Sequence, residues 1–246
     1  MADDKEVLIK CKTRVQNHGE VFTPKFMVEK MLNRPGIKEA CENLESTFLE
    51  PSVGEGVFLI VILSRKLDMV SKLYNESLKQ YENYSLLALS TLYGVELLED
   101  NTKKCVLNLY QVYLDYYDRS CQNHGMKPRN LDVLSSAKTI ISTNIRQGDF
   151  LTQLSSNGEP IIFSEWKPLK KIGKTQSIQI IRTEYTLDEI QRGEDKSPGE
   201  TVKKKWIASP VQLDLFSTPS NIEVGEEPLR YLPCSITEIH KEIMGD

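Results

Sequence analysis

Phe48-Leu49-Glu50-Pro51-Ser52-Val53-Gly54-Glu55-Gly56-Val57-Phe58-Leu59 is the stretch that decides how this chain reads. A short apolar run ends at Glu50, a tight turn with two glycines follows, and apolar residues at helical spacing begin at Val57. The pattern is strand, glycine loop, helix. Glycine has no Cβ and tolerates positive φ, so such a loop lets the backbone approach a ligand closely. The start of the following helix aims its free N–H groups at the same place. Two glycines alone also describe an ordinary tight turn, so the surrounding chain has to decide.

Upstream lies Gly19-Glu20-Val21-Phe22-Thr23-Pro24. Thr23 suits a helix N-cap and Pro24 the first helical position. Met27, Val28, Met31 and Leu32 then share one apolar face until Pro35-Gly36 stops the helix. Downstream, a helix is expected over residues 55–66, with helical character continuing through 67–84. Residues 86–96 are nearly continuously apolar and read as a buried parallel strand. Glu96 stands at its C-terminal end, the edge where open α/β sheets bind ligands. A carboxylate there accepts hydrogen bonds from ribose hydroxyls; a solvated residue at a strand end is the plainer alternative.

Residues 99–118 read as a helix with Val106, Leu109, Tyr110 and Tyr113 on one face, and 119–130 as a loop. A further strand is expected over 138–145, followed by Gly148-Asp149-Phe150-Leu151. Asp149 can accept from an exocyclic amine and Phe150 can pack on a purine ring, although Gly-Asp-Phe is also a common polar turn. Strand signals recur at 160–163 and 177–185, with Lys170, Lys171 and Lys174 as a basic cluster between them and a helical turn at 186–190. Residues 191–230 are rich in Glu, Lys, Ser, Pro and Gly and read as a flexible linker or tail. A short helix over about 235–244 closes the chain. The expected division is a domain over 1–190 and a tail over 191–246.

A chain of 246 residues can bury a sizeable core. Its net charge of −4 provides no global basic field, so nucleic acid would need a local patch or a partner. The five cysteines are scattered without a CxxC pair and the three histidines do not cluster with them, which points to reduced thiols and no zinc site. No signal region or membrane-length apolar run is present, so a cytoplasmic protein is expected.

Glycine loop, acidic strand end and Gly-Asp-Phe, in that order, resemble the cofactor-binding half of S-adenosylmethionine-dependent DNA methyltransferases of the adenine-N6 type. The likeness is to the modification subunits of restriction-modification systems. Gly19 to Pro24 resembles the family's N-terminal cofactor motif, Glu50 to Leu59 its glycine-rich motif, and Gly148 to Leu151 its adenine-contacting motif; together they span residues 19–151. The resemblance implies an α/β fold, a Rossmann-like methyltransferase sheet with helices on both faces and a flexible C-terminal extension. It implies S-adenosyl-L-methionine as cofactor. Phe22, Thr23 and Pro24 would meet its methionine end, and Glu50, Pro51, Ser52, Gly54 and Gly56 would line its pocket. Glu96 would hold the ribose hydroxyls, and Asp149 and Phe150 the adenine. It further implies DNA as substrate; adenine N6 and cytosine N4 follow the same motif logic.

The family's catalytic motif, a polar residue followed by two prolines and an aromatic, has no close counterpart here. At the expected place stands Ile162-Phe163-Ser164-Glu165-Trp166-Lys167-Pro168. Ser164 could stand for the polar residue and Trp166 for the aromatic that stacks on a flipped base; a strand running into a surface turn is the competing reading. Too few residues follow Pro168 to supply the remaining strands and crossovers of a full sheet. The expectation is therefore a sheet short of its full complement, completed by a second methyltransferase, specificity or restriction subunit. The alternative is a catalytically inactive, methyltransferase-like interaction protein. Gln212-Leu213-Asp214-Leu215-Phe216 in the tail resembles the pentapeptide by which bacterial proteins bind the replication sliding clamp, with Gln212, Leu213, Leu215 and Phe216 as contacts.

Overall fold

The computed structural model describes residues 9–18, 20–125, 127–174, 176–202 and 229–245. The clamp-like pentapeptide, Gln212 to Phe216, lies outside the described residues.

Three short strands form a parallel sheet in the order β1 (Phe48–Glu50), β2 (Leu92–Glu96), β3 (Ile145–Gln147). Their register pairs Phe48 with Leu92, Gly94 with Ile145 and Glu96 with Gln147. Parallel neighbours need long crossovers. Here they are helical: α4 (Val57–Leu73) and α5 (Leu78–Ser90) join β1 to β2, and α6 (Glu99–Asn123) and α7 (Leu131–Asn144) join β2 to β3. Both crossovers step in the same direction across the sheet, so right-handed connections bring all four helices to one face. Leu92 and Ile145 share a single buried cluster there with Leu59 and Leu63 of α4, Tyr84 of α5, Leu109 of α6 and Ile141 of α7.

The opposite face is built differently. Side chains alternate along a strand, and Val95, with Tyr93 beside it, meets a small second cluster of Ile161, Phe163 and Leu187. These come from the antiparallel hairpin β4 (Ile162–Pro168) and β5 (Gln179–Thr186) with its approach, and from α8 (Leu187–Arg192). The expected coverage by helices on both faces is thus corrected: four long helices lie on one side, a hairpin and a six-residue helix on the other. Mixed α/β architecture stands, with small, open sheets.

Two expected strands become mostly helix. The run over 86–96 is helix to Ser90 and strand only from Leu92. A continuously apolar run fits a buried helix as well as a buried strand. Here Ser77 caps the helix by accepting from the Gln80 N–H, and every α5 residue but Lys79 is buried. The expected strand at 138–145 is the end of α7, with β3 starting at Ile145. Its β-branched residues favour strands. The Asn130 cap and the burial of Val133, Ala137, Ile140 and Ile141 at helical spacing override that preference, while Thr139 and Thr143 return their hydroxyls to carbonyls one turn back.

The other elements are α1 (Lys12–His18), α2 (Lys25–Leu32) and α3 (Ile37–Cys41) before β1, and β6 (Arg230–Tyr231), β7 (Cys234–Ser235), a 3-10 helix (Ile236–Lys241) and β8 (Met244–Gly245) at the end. The N-cap of α2 is Pro24, not Thr23: the Pro24 carbonyl accepts the Val28 N–H at 3.1 Å. The expected closing helix is a 3-10 turn between two short strands, and this segment returns to the body. β7 pairs with β5, and the Tyr231 N–H donates to the Gly199 carbonyl at 2.8 Å.

The loop entering β1 is held from beneath by Lys66. It is fully buried and donates to the carbonyls of Asn43 and Ser46. Burial pulls its pKa down to about 8. No helix among the described residues is long and apolar enough to cross a membrane.

Candidate functional site

β1, β2 and β3 all end on one edge of the sheet, and the glycine loop turns over that edge. The Val53 N–H donates to the Val95 carbonyl at 2.9 Å, fixing the loop to the next strand. The chain then reverses through Gly54 (φ 55°) and Gly56 (φ 93°), and Gly56 caps α4. A Cβ on Gly56 would lie 2.8 Å from the Cys105 sulfur, so α6 is packed directly behind the loop. Burial pushes the Cys105 thiol up to about 12, aided by the Glu96 charge, and it stays protonated.

Glu96 forms the floor. One carboxylate oxygen accepts the Gly54 N–H at 2.8 Å and the other accepts the Leu98 N–H at 3.0 Å, with the Asn101 amide at 3.4 Å. The residue is only 5% exposed. Each carboxylate oxygen has about two acceptor sites, so the oxygen that meets Gly54 keeps one for a ligand's hydroxyl.

Residues 20–23 form the opposite wall. Phe22 lies alongside Gly54, 3.6 Å from where its Cβ would be. Glu20 is tied down by the Arg14 guanidinium, through Nε and through Nη2 at 2.8 Å, and by the Asn101 amide. Arg14 holds the Glu20 carboxyl below the usual range, against the opposing effect of burial.

Together these walls enclose a cavity of about 220 Å³. Of the residues expected at the site, Phe22, Thr23, Glu50, Ser52, Gly54 and Glu96 line it. Pro24, Pro51 and Gly56 stand in the same loops without lining it. Asp149 follows at the same edge, since the Gly148 N–H donates to the Glu96 carbonyl at 2.9 Å. Its side chain, however, is occupied locally, accepting the Leu151 N–H at 2.8 Å. Phe150 packs with Val95 and Phe163 on the second face instead of entering the cavity.

Sequence reading missed Glu20, Glu55, Asn101 and the backbone of Leu97 and Leu98 as lining groups. Glu20 and Glu55 stood inside the quoted motifs. Asn101 had no signal beyond its place one turn into the helix after Glu96. The lining carries four carboxylates, Glu20, Glu50, Glu55 and Glu96, and neither lysine nor arginine. Burial pushes the Glu50 carboxyl above its ordinary range, partly offset by a backbone hydrogen bond from Ser52. Arg14 pairs with Glu20 and Lys10 with Glu55, so the lining carboxylates without a cationic partner among the described residues are Glu50 and Glu96, which disfavour phosphate and suit hydroxyls and an organic cation.

Ser164 and Trp166 are elsewhere. Ser164 is 1% exposed and its hydroxyl accepts the Arg182 Nε–H at 2.9 Å. Trp166 is buried in the main core, donates from Nε1 to Asn144 at 3.1 Å and stacks beneath the Arg182 guanidinium. Neither lines this cavity, and the Trp166 ring is only 6% exposed, with the Arg182 guanidinium over it. A scan against protein-family models finds no match, and neither curated proteins nor solved structures yield a relative of this chain.

Proposed function

We propose that this chain binds S-adenosylmethionine at the Glu96 edge and serves as the cofactor-binding part of a DNA methyltransferase of the adenine-N6 type, working with a partner chain. The observation that carries this reading is the Glu96 carboxylate, clamped by the Gly54 and Leu98 N–H groups under a cavity lined by carboxylates alone among its charged residues. A nucleoside's ribose hydroxyl fits the remaining acceptor site of Glu96. A sulfonium and an α-ammonium fit the surrounding negative charge. A dinucleotide's phosphates do not, and this separates the reading from a nicotinamide dehydrogenase on a similar glycine turn. The bound cofactor would supply a methyl group activated by its sulfonium. This chain's residues would orient the adenosyl group and neutralise its positive end.

A second reading is favoured by a specific observation. Ser164 and Trp166 are consumed by Arg182 and Asn144. The chain would then hold the cofactor without activating a base, or act as an inactive interaction protein.

Competition binding tests the ligand. Labelled S-adenosylmethionine should be displaced by S-adenosylhomocysteine and left in place by a nicotinamide dinucleotide; displacement by the dinucleotide alone sinks the proposal. Methyl transfer to unmodified DNA separates the two readings. Transfer only in mixtures with a partner subunit supports the first. No transfer in any mixture, despite cofactor binding, supports the second.

A further inference from the structure

Lys10 lies beside this cavity, in contact with three of its lining residues, Glu55, Phe22 and Asn101. Its ammonium stands 2.9 Å from Glu55 and 3.1 Å from Asp100 and donates to the Asn101 side chain. It also lies 5.7 Å from the centroid of the Phe22 ring, within cation–π range. Glu55, Phe22 and Asn101 all line the cavity. The carboxylate and aromatic face that hold this ammonium would equally attract a cationic ligand. One turn further on, Arg14 bridges Glu20 to Asp100, at 2.8 Å to the latter. The segment containing α1 is thus held beside the cavity by ion pairs, and among the described side chains of α1 none belongs to the buried core.

We infer that Glu55 and Phe22 form a subsite for an organic cation, and that the chain's own Lys10 ammonium fills this subsite until a cationic ligand displaces it. The inference deepens the proposed function and rests on that reading for the identity of the natural ligand. Two observations support displacement over simple coexistence. The cavity, at about 220 Å³, falls below the ~300–1,000 Å³ of typical small-molecule pockets, so a nucleoside-sized ligand needs added room, and the space held by the Lys10 ammonium between Glu55 and Phe22 adjoins it. The Lys10 side chain is also 29% exposed, and ion pairs at that exposure are weak enough for a ligand of matching charge to exchange with them.

Burial works against the Lys10 charge, but the carboxylates of Glu55 and Asp100 outweigh it and hold the ammonium above its ordinary range. Release from those carboxylates therefore speeds acylation of the amine, which reacts only when deprotonated.

The test follows Lys10 by acetylation and mass spectrometry on the full chain, with exposed Lys103 as internal reference. Two probes are used: S-adenosylmethionine, and trimethylsulfonium as a bare cation. Both should raise Lys10 labelling severalfold over Lys103, and Lys10→Met should bind S-adenosylmethionine about twofold to fivefold tighter than the parent. Faster labelling with trimethylsulfonium but not with S-adenosylmethionine supports the cation subsite and overturns the adenosyl ligand. Unchanged labelling with both probes overturns the subsite. Weaker binding by Lys10→Met also overturns it, because Lys10 would then hold the ligand's carboxylate and not compete with its cation.

Discussion

Glu96 and Arg182 are both buried and charged, and they do opposite work. Glu96 is met from one side by backbone N–H groups and faces a cavity on the other. Arg182 lines a separate cavity of about 270 Å³, but each of its nitrogens is already engaged by a side chain: Ser164 on Nε, Glu242 at 2.7 Å on one terminal nitrogen and Glu184 at 3.0 Å on the other, with the rings of Trp166 and Tyr231 near its plane. A buried charge met by backbone N–H groups, with an acceptor site left beside a void, is available to a ligand. One whose every nitrogen is engaged by a side chain of the fold holds strands together. The two candidate catalytic residues fall in the second environment, and Glu96, the central candidate for cofactor binding, in the first.

The largest effect expected from breaking this contrast is Arg182→Ala. It leaves Glu184 and Ser164 buried without their partner, and loss of one member of a buried ion pair costs about 3 kcal/mol or more. Urea unfolding should register it, while the affinity of the folded fraction for S-adenosylmethionine stays unchanged. A parallel loss of affinity would show that the hairpin and the pocket are one unit.

Gly56→Val comes next. Its φ of 93° is strained for any side chain, and the new Cβ would press on the Cys105 sulfur at 2.8 Å. About 2 kcal/mol of stability should go, and ligand binding with it, because the loop has to move. Gly54→Val sharpens the comparison: its Cβ meets only the Phe22 ring at ordinary contact distance. That variant should lose less stability and still lose binding, read by the same denaturation and titration.

Trp166→Phe removes the indole N–H from Asn144 and leaves that buried amide oxygen short of a donor. About 1–2 kcal/mol of stability is at stake, with ligand affinity intact. A tenfold fall in affinity on this change would move Trp166 back into the site.

The smallest effect is on pH. Arg14 and Lys10 hold the Asp100 carboxyl down to about 2, from an ordinary 3.8. A depressed carboxylate contributes stability that is complete above its unfolded pKa and is lost as pH falls through the folded one. The α1 segment should therefore loosen between about pH 4 and pH 2, followed by hydrogen exchange of α1 amides, and Asp100→Asn should flatten that dependence.

The sequence showed the sharpest features of the site where the signal is local. The glycine turn sets its own backbone, and Glu96 ends a strand that had to be buried. The boundary between α5 and β2 was hidden because an element buried all round carries no periodicity, and α7 because its β-branched residues speak for a strand while its cap and packing speak for a helix. Lys10 and Arg14 were illegible for another reason. Their partner Asp100 is ninety and eighty-six positions away, and nothing in a polar N-terminal stretch announces which distant carboxylate it will meet. Ser164 and Trp166 were placed by analogy with a motif, and analogy does not report that Arg182 and Asn144 would claim them.

The most direct measurement is a calorimetric titration of the full chain with S-adenosylmethionine, beside a Glu96→Ala variant shown by circular dichroism to be folded. The account expects micromolar binding, about −8 kcal/mol, reduced at least a hundredfold in the variant. No heat from the folded parent chain, or equal affinity in the two proteins, would contradict it.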